Sequence, residues 1–261
     1  ALEYLREMEP VDCLFLDPAR RDSHGGKTVA ITECEPDVCA LESLLVEKGR
    51  KVMVKLSPML DMASALRELK YIRELHVIAV NNECKELTAV LYQMNSVNES
   101  SEKEVVISCE QAVHNSLSEP FTYTLSEEKN AVCQLADRVE TYLYEPGAAL
   151  LKAGPYRLLS QRYGVKKLHP NSHLYTSSVQ VDFPGRCFQV TGISGFGKKE
   201  VKELLSGLEK ANLTVRNFPA SVADLRKKLK LKEGGDVYLF ATTLQNGEKV
   251  LIKCLKPALL S

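Results

Sequence analysis

The sequence lacks the features that would place it in a membrane or in an oxidising compartment. Its 261 residues contain no apolar run approaching about 18 residues and no secretory signal peptide, so no membrane segment is predicted. None of the eight cysteines forms a Cys-x-x-Cys pair, and several lie in apolar runs such as Ile107-Ser108-Cys109. Scattered cysteines of this kind indicate reduced, buried thiols in a cytoplasmic protein rather than a disulfide framework.

Net charge is also lacking, but the balance hides two opposite halves. Lysine and arginine together number 34, as do aspartate and glutamate. Residues 1–149 hold 15 basic against 26 acidic residues, whereas residues 150–261 hold 19 against 8. A basic half is typical of proteins that contact phosphate groups. Mutual attraction between two oppositely charged domains explains the asymmetry equally well.

Motifs for metal binding and nucleotide hydrolysis are incomplete. The segments 169–173, with two histidines, and 34–39, with two cysteines, each supply two zinc ligands where a closed site needs four, so no metal is expected. Residues 192–199 nearly match the phosphate-binding pattern G-x-x-x-x-G-K-[ST], but the last position is Lys199, which has no hydroxyl for Mg²⁺. A tight turn that opens a helix, with N–H groups that could hold an anion, is the better interpretation.

The first half of the chain predicts alternating strands and helices. The predicted strands are 11–16, 51–56 and 75–80, and the predicted helices between them are 36–49 and 61–72. This alternation favours parallel β-α-β units with right-handed crossovers. The strands end in polar groups at Asp17, Ser57 and Asn81-Asn82. Because the carboxyl ends of parallel strands share one edge of a sheet, these groups are expected to line one cleft.

The rest of the chain predicts a helical connection and then a small α+β domain. We expect a helix at 83–93, strands at 104–109 and 121–125, and helices across 132–163 with breaks at 145–147 and 154–155. Farther on, the predicted strands are 186–193, 213–218, 237–243 and 249–255, and the predicted helices are 198–211 and 221–231. Asn246-Gly247 is a strong hairpin-turn signal between the last two strands. The predicted domains are 1–130, a helical connection over 131–181, and 182–261.

The segment that ends in Asp17-Pro18-Ala19-Arg20 resembles the fourth strand and acidic-Pro loop of class I S-adenosylmethionine-dependent methyltransferases. It lacks the aromatic residue that completes [DNS]-P-P-[YFW] in the amino-methylating members. Bacterial methyltransferases with a C-terminal THUMP-like domain are a closer match. Six blocks carry this resemblance in the same order: 17–21, 25–27, 55–61, 80–84, 144–149 and 173–177.

The resemblance implies a fold class and a missing part. The fold would be α/β, the C-terminal half of a Rossmann-like methyltransferase sheet followed by a small α+β THUMP-like domain, with residues 104–109 as the antiparallel strand that completes the sheet. The family's Gly-rich loop and the acidic residue of its second strand, which hold S-adenosylmethionine, have no counterpart in this sequence. The chain is therefore expected to be an inactive C-terminal fragment, and its cofactor-binding residues are unknown. Strand 11–16 would be an open edge, which predicts a homodimer through it or a disordered N-terminus.

The resemblance also implies roles for individual residues. Asp17 and the Pro18 carbonyl would accept the two hydrogens of an exocyclic amine on an RNA base and so orient its lone pair. The other candidate substrate-binding residues are Arg20, Arg21 and Lys27, as a phosphate clamp, and Lys55, Ser57, Asn81 and Asn82, as a pocket floor. A strand-ending turn and a solvated loop are the structural alternatives for these residues.

RNA is the expected partner because the THUMP-like resemblance implies RNA contact, and a basic helix is available for it. The basic residues of that helix region are Arg226, Lys227, Lys228, Lys230 and Lys232. A run of charge is also typical of a solvated face. The competing function is a non-catalytic RNA-binding or assembly module.

Overall fold

The computed structural model describes residues 2–20, 31–93, 104–113 and 116–258. It is a mixed α/β protein with two large sheets, as expected. The chain forms two compact units: Ala1–Lys129 with Ala148–Gly154, and Asn130–Gly147 with Pro155–Ser261. Most of the segment expected to be a connection, residues 131–181, therefore lies within the second unit. No helix among the described residues is long and apolar enough to cross a membrane.

The elements up to residue 130 follow one another in a mixed order. They are α1 (Leu2–Glu7), β1 (Val11–Leu16), β2 (Ala19–Arg20), a 3-10 turn (Ile31–Glu33), β3 (Cys34–Glu35), α2 (Val38–Lys48), β4 (Gly49–Leu56), α3 (Met62–Glu68), β5 (Ile72–Val80), β6 (Glu83–Leu91), β7 (Val106–Val113), β8 (Ser116–Leu117), β9 (Phe121–Thr124) and α4 (Leu125–Asn130). The predicted starts of α2 and α3 are confirmed. The carboxylates of Asp37 and Asp61 cap these helices by accepting from the backbone N–H groups of Ala40 and Ala63.

The elements after residue 130 are mostly strands. They are β10 (Tyr142–Pro146), α5 (Ala148–Ala153), α6 (Tyr156–Tyr163), β11 (Lys166–Lys167), β12 (Tyr175–Ser177), β13 (Gly185–Ser194), α7 (Lys198–Leu204), β14 (Asn212–Arg216), α8 (Val222–Leu229), β15 (Tyr238–Thr243) and β16 (Lys249–Leu255). The helices predicted at 198–211 and 221–231 exist but are shorter, and the first ends at Leu204.

The first sheet has the order β1-β4-β6-β5-β7-β8, with β9 also paired to β7. Strand β1 is parallel to β4 and β5 is parallel to β7, while β6 runs antiparallel to both β4 and β5. The three predicted strands therefore point the same way, as expected, but β6 separates the second from the third. Among the described residues, β1 pairs only with β4 and lies at the edge of the sheet.

Two expectations for this sheet are wrong. Residues 83–93, predicted as a helix, form β6, because Asn81 and Asn82 both adopt positive φ angles (49° and 62°) and make a tight hairpin turn from β5. The apolar run at 87–91 is fully buried between β4 and β5. The strand expected to complete the sheet in antiparallel fashion, β7, is parallel to β5.

The second sheet has the order β11-β12-β10-β13-β16-β15-β14, with only β14 and β15 parallel to each other among these neighbours. Antiparallel β15 and β16 confirm the hairpin across Asn246-Gly247. The helical prediction for 132–163 is wrong at 132–146, because residues 132–141 form no helix and Tyr142–Pro146 is strand β10. It is confirmed at α5 and α6. Both faces of this sheet carry buried apolar clusters, one around Phe188 and Phe240 and the other around Leu213 and Leu239.

The cysteines follow the prediction only in part. Cys109 and Cys254 are buried, and burial is the main cause that raises the pKa of each thiol to about 12. Cys13 is exposed, because it lies on the edge strand β1. The position of Cys13 in the predicted strand 11–16 therefore did not indicate a buried thiol.

Candidate functional site

The corner that follows β1 brings together two of the predicted site residues. Leu16 pairs with Val54 in the parallel register of β1 and β4, so Asp17 and Lys55 come next to each other beyond that pair. The Lys55 ammonium donates to Oδ2 of Asp17 at 2.9 Å. The Asp17 side chain is 56% exposed and the Lys55 side chain is 39% exposed, so the Asp17 carboxylate is accessible from solvent.

The ion pair fixes the protonation of Lys55. The hydrogen bond to Asp17, followed by the charge of Asp17, raises the pKa of Lys55, and the nearby Glu86 acts in the same direction. Lys55 is therefore a cation at neutral pH and cannot serve as a general base. Since Lys55 donates to Oδ2 only, Oδ1 of Asp17 is in position to accept a hydrogen bond from another group.

Ser57 shapes the turn that follows β4. Its hydroxyl oxygen accepts from the backbone N–H of Met59 at 3.1 Å, and its carbonyl accepts from the N–H of Leu60 at 3.0 Å. Ser57 lies two residues beyond Lys55, at the same sheet edge as Asp17. Its observed contacts are those of a strand-ending turn.

Asn81 and Asn82 lie farther out than Ser57. Leu56, the last residue of β4, and Val77 of β5 both pair with Leu87 on β6. Asn81 is four residues beyond Val77, so the hairpin tip projects about 13 Å past the end of β4. At that tip, Oδ1 of Asn82 accepts from the backbone N–H of Ala148 at 3.0 Å, at the start of α5. The asparagines have clear structural roles, and a substrate-binding role for them stays a prediction.

The predicted phosphate clamp falls at the limit of the described residues. The backbone of Arg20 pairs with Cys34 in the two-stranded β2–β3 ribbon. Arg21 and Lys27 lie outside the described residues.

A groove of about 980 Å³ runs along α1, β1 and α2 on the open side of the sheet. Its lining is mostly apolar and includes Phe15, which is 62% exposed. The charged residues on it are acidic: Glu3, Glu35 and Asp37, of which Asp37 caps α2. A ligand with its own carboxylate, such as S-adenosylmethionine, would find no basic partner among the described residues of this lining. The described residues of the groove therefore do not form a complete site for that cofactor.

The second unit contains a charged cluster that the sequence did not predict. Glu145 on β10 is only 1% exposed, yet two arginines reach its carboxylate. Arg186, its direct cross-strand neighbour on β13, donates from Nε to Oε2 at 2.9 Å and also from Nη2 to the same oxygen. Arg216 donates from Nε to Oε1 at 3.0 Å, and its Nη2 lies 2.8 Å from the same oxygen. A charged residue inside the otherwise apolar strand Tyr142–Pro146 was the available signal.

Arg216 joins distant parts of the second sheet. Three strands separate β14 from β10 in the sheet order, so the contact between Arg216 and Glu145 shows that the sheet curls strongly. His173 lies near this closure. Burial, and then the charges of Lys167 and Arg216, lower the pKa of His173 to about 4. Its Nδ1 atom is buried without a hydrogen-bond partner in the described structure.

The carboxylate of Glu200 lies against the Gly-rich segment at 192–199. A Cβ atom placed on Gly195 would lie 2.6 Å from Oε2 of Glu200, and one on Gly197 would lie 3.2 Å from Oε1. The Glu200 side chain thus folds back over the loop, where a nucleotide would need to place a phosphate. The resulting repulsion argues against a nucleotide site at this loop.

Of the two residue groups considered for zinc, the histidine segment has other contacts. Nδ1 of His169 accepts from the backbone N–H of Asn171 and lies 3.0 Å from the side-chain amide of Asn217. No group of three or more His, Cys, Asp or Glu side chains within the described ranges is arranged to hold a metal ion.

Comparison with known proteins gives family-model matches after residue 141 and a similar solved structure. Residues 142–184 match a family model described as a ferredoxin-like domain, and residues 185–256 match one described as a THUMP-like domain. A crystal structure from Porphyromonas gingivalis W83, described as a "putative methyltransferase", is similar with a TM-score of 0.84 and 38% sequence identity. The match covers 95% of this chain and 60% of that one, so the chain spans less than two thirds of its relative. No curated protein matches the sequence.

Proposed function

We propose that this chain carries the substrate-orienting corner and the RNA-binding domain of an S-adenosylmethionine-dependent methyltransferase that modifies an exocyclic amine of an RNA base. The similarity to a methyltransferase-like structure and the THUMP-like domain support an RNA-modifying enzyme. The single observation that carries the proposal is the exposed carboxylate of Asp17, held at a strand end with one oxygen accessible. A cytoplasmic location would suit an RNA substrate and free thiols.

The corner suits the orientation of an amine. Oδ1 of Asp17 and the carbonyl oxygen of Pro18 can accept the two N–H groups of an exocyclic amine, which aims its lone pair away from both acceptors. As the nitrogen acquires positive charge during alkylation, the carboxylate stabilises that charge. Lys55 keeps the carboxylate in place through Oδ2 without competing for the other oxygen. The bound cofactor would supply the methyl group.

The matched test compares two aspartates on the same strand pair. In a version of the protein extended upstream, Asp17→Ala should lower methyl incorporation into bulk RNA by roughly a hundredfold, as loss of one preorganised polar contact does elsewhere. Asp12→Ala is the control, because Asp12 bridges the same two strands through Arg50 at 3.4 Å and is also exposed, at 91% against 56% for Asp17. Radiolabelled methyl transfer measures both variants. Equal activity of the two variants would remove Asp17 from the mechanism.

A non-catalytic RNA-binding or assembly module remains the second candidate. The basic balance of residues 150–261 favours it, as does the exposed basic helix α8 with Lys227 and Lys228. The same assay separates the two candidates. RNA binding without any methyl incorporation by the extended protein would favour the second.

We also propose that the described chain forms a homodimer through β1. This edge strand has no neighbour on its outer side within the described residues, and it exposes Phe15 and Val11. An open apolar edge recruits another strand, and a second copy supplies an identical one. Light scattering should give twice the chain mass, and Phe15→Lys should give a monomer. A monomeric wild-type chain with β1 ordered would contradict the dimer.

A further inference from the structure

We propose that Arg186 and Arg216 bind a phosphate group of RNA, and that Glu145 acts as a positioning residue for both guanidinium groups. This inference rests on the proposed function, because it supplies the binding site that an RNA-directed protein needs. It replaces the basic helix α8 as the main point of contact.

Arg186 and Arg216 hold Glu145 and still reach solvent. Glu145 is buried, but the side chains of Arg186 and Arg216 are 39% and 36% exposed. Both arginines approach the carboxylate with Nε and Nη2. Their Nη1 groups therefore remain available as donors for a ligand. Two guanidinium groups fixed by one carboxylate form a preorganised pair of forks, the geometry that suits phosphate oxygens.

The cluster of Glu145, Arg186 and Arg216 carries more positive than negative charge. One carboxylate neutralises one of the two arginines, so the cluster keeps a net positive charge. Lys167 adds a further cation nearby, since its charge and that of Arg216 both act on His173. Two arginines can share one carboxylate for structural reasons alone, but here both arginine side chains also reach solvent. The surplus, held at partly exposed side chains, favours an anionic ligand.

A pocket lies beside Arg186. Arg186 lines a cavity of about 700 Å³ together with Asp182, Tyr238 and Lys256. This volume is typical of small-molecule sites and is sufficient for a nucleoside. A phosphate on the arginines would place the attached nucleoside at this pocket. The Asp182 carboxylate could accept a hydrogen bond from a ribose 2′-hydroxyl, which DNA lacks.

Helix α8 provides the contrast. Nη1 of Arg226 donates to the Ala211 carbonyl, and the Lys228 ammonium lies 5.9 Å from the centre of the Phe196 ring. Lys227 is exposed and carries one charge on a flexible stem. The helix thus offers point charges without the fixed forks of the arginine pair.

Fluorescence anisotropy with a labelled single-stranded RNA tests the inference on the 261-residue chain. Arg186→Ala and Arg216→Ala should each weaken binding roughly fivefold or more at about 0.1 M salt, and each should lower the slope of log affinity against log salt by about 0.7. Each variant leaves the other arginine on Glu145, so the buried carboxylate keeps a partner, and circular dichroism checks the fold. Lys227→Ala, the matched control, should change affinity less than twofold. Arg186→Lys keeps the charge but loses the fork, and should recover only part of the affinity.

The outcomes separate this inference from the proposed function. If the unchanged chain does not bind RNA, the RNA-directed function fails and the inference fails with it. If the chain binds RNA while both arginine variants bind as tightly as wild type, only the inference is overturned. A larger loss for Lys227→Ala than for the arginine variants would place the RNA on α8. Equal affinity for DNA of the same sequence would remove the role given to Asp182.

Discussion

Asp17 in the first unit and Glu145 in the second both bind basic side chains, but they do so in opposite surroundings. The Asp17 side chain is 56% exposed and has one lysine partner at 2.9 Å. The Glu145 side chain is 2% exposed and has two arginine partners. An ion pair in water contributes about 0–1 kcal/mol, because solvent competes for both charges. A buried carboxylate loses its hydration and depends on its partners.

This difference determines which atoms of each cluster a ligand can contact. Asp17 can exchange or share its partner at little cost, so a substrate amine can approach the carboxylate itself. Glu145 cannot release its arginines without leaving a buried charge, so a ligand can use only their outer N–H groups. The exposed carboxylate is suited to direct contact with a substrate, and the buried one to positioning other residues.

The largest expected effect is on stability and comes from the buried cluster. Glu145→Ala should lower the free energy of unfolding by about 3 kcal/mol, the low end for a broken buried pair, since the arginines that remain are partly exposed and can regain water. Urea unfolding followed by circular dichroism measures the change.

The control for this measurement is the exposed carboxylate. Asp17→Ala should change the free energy of unfolding by less than about 1 kcal/mol, because its ion pair lies in solvent. Equal losses for the two variants would show that burial does not distinguish the clusters. A loss below about 1 kcal/mol for Glu145→Ala would mean that the arginines do not depend on it.

Local signals made part of the fold predictable. The hairpin of β15 and β16 follows from Asn246-Gly247, because Gly247 adopts a positive φ of 84°, which glycine tolerates best. Helix α3 starts where Asp61 provides a cap. Strand β6 was missed since Glu83, Lys85 and other good helix formers lead into an apolar run, and only pairing with β4 and β5 makes it a strand.

The candidate sites differ in the same way: one follows from a local signal in the sequence, and the other depends on the folded sheet. Asp17 was predictable because a strand that ends in Asp-Pro places its polar groups at a sheet edge, whatever the rest of the fold does. The Glu145 cluster was not, because Arg216 lies 71 residues along the chain and reaches Glu145 only when the second sheet curls. Asn81-Asn82 was recognised as a strand end, but its turn geometry depends on the antiparallel partner β6.

The smaller expected effect concerns pH and tests the surroundings of the buried cluster. Burial lowers the pKa of His173 from 6.5 to about 4, and Lys167 and Arg216 act in the same direction. Below about pH 6.5 His173 becomes protonated in the unfolded chain, whereas in the folded chain it stays neutral down to about pH 4. Stability should therefore fall as pH decreases through this window. Allowing for the partial exposure of the side chain, the loss at pH 4 should be on the order of 1–2 kcal/mol.

His173→Asn removes this titration while keeping a residue that tolerates the left-handed backbone at position 173, where φ is 50°. Urea unfolding of both proteins at several pH values between about 4 and 7.5 isolates the histidine, because the acidic residues titrate alike in each. The variant should lose less stability than wild type on acidification. Parallel pH profiles would show that His173 binds its proton equally well in the folded and unfolded chain, and hence that neither its burial nor the charges of Lys167 and Arg216 lower its pKa.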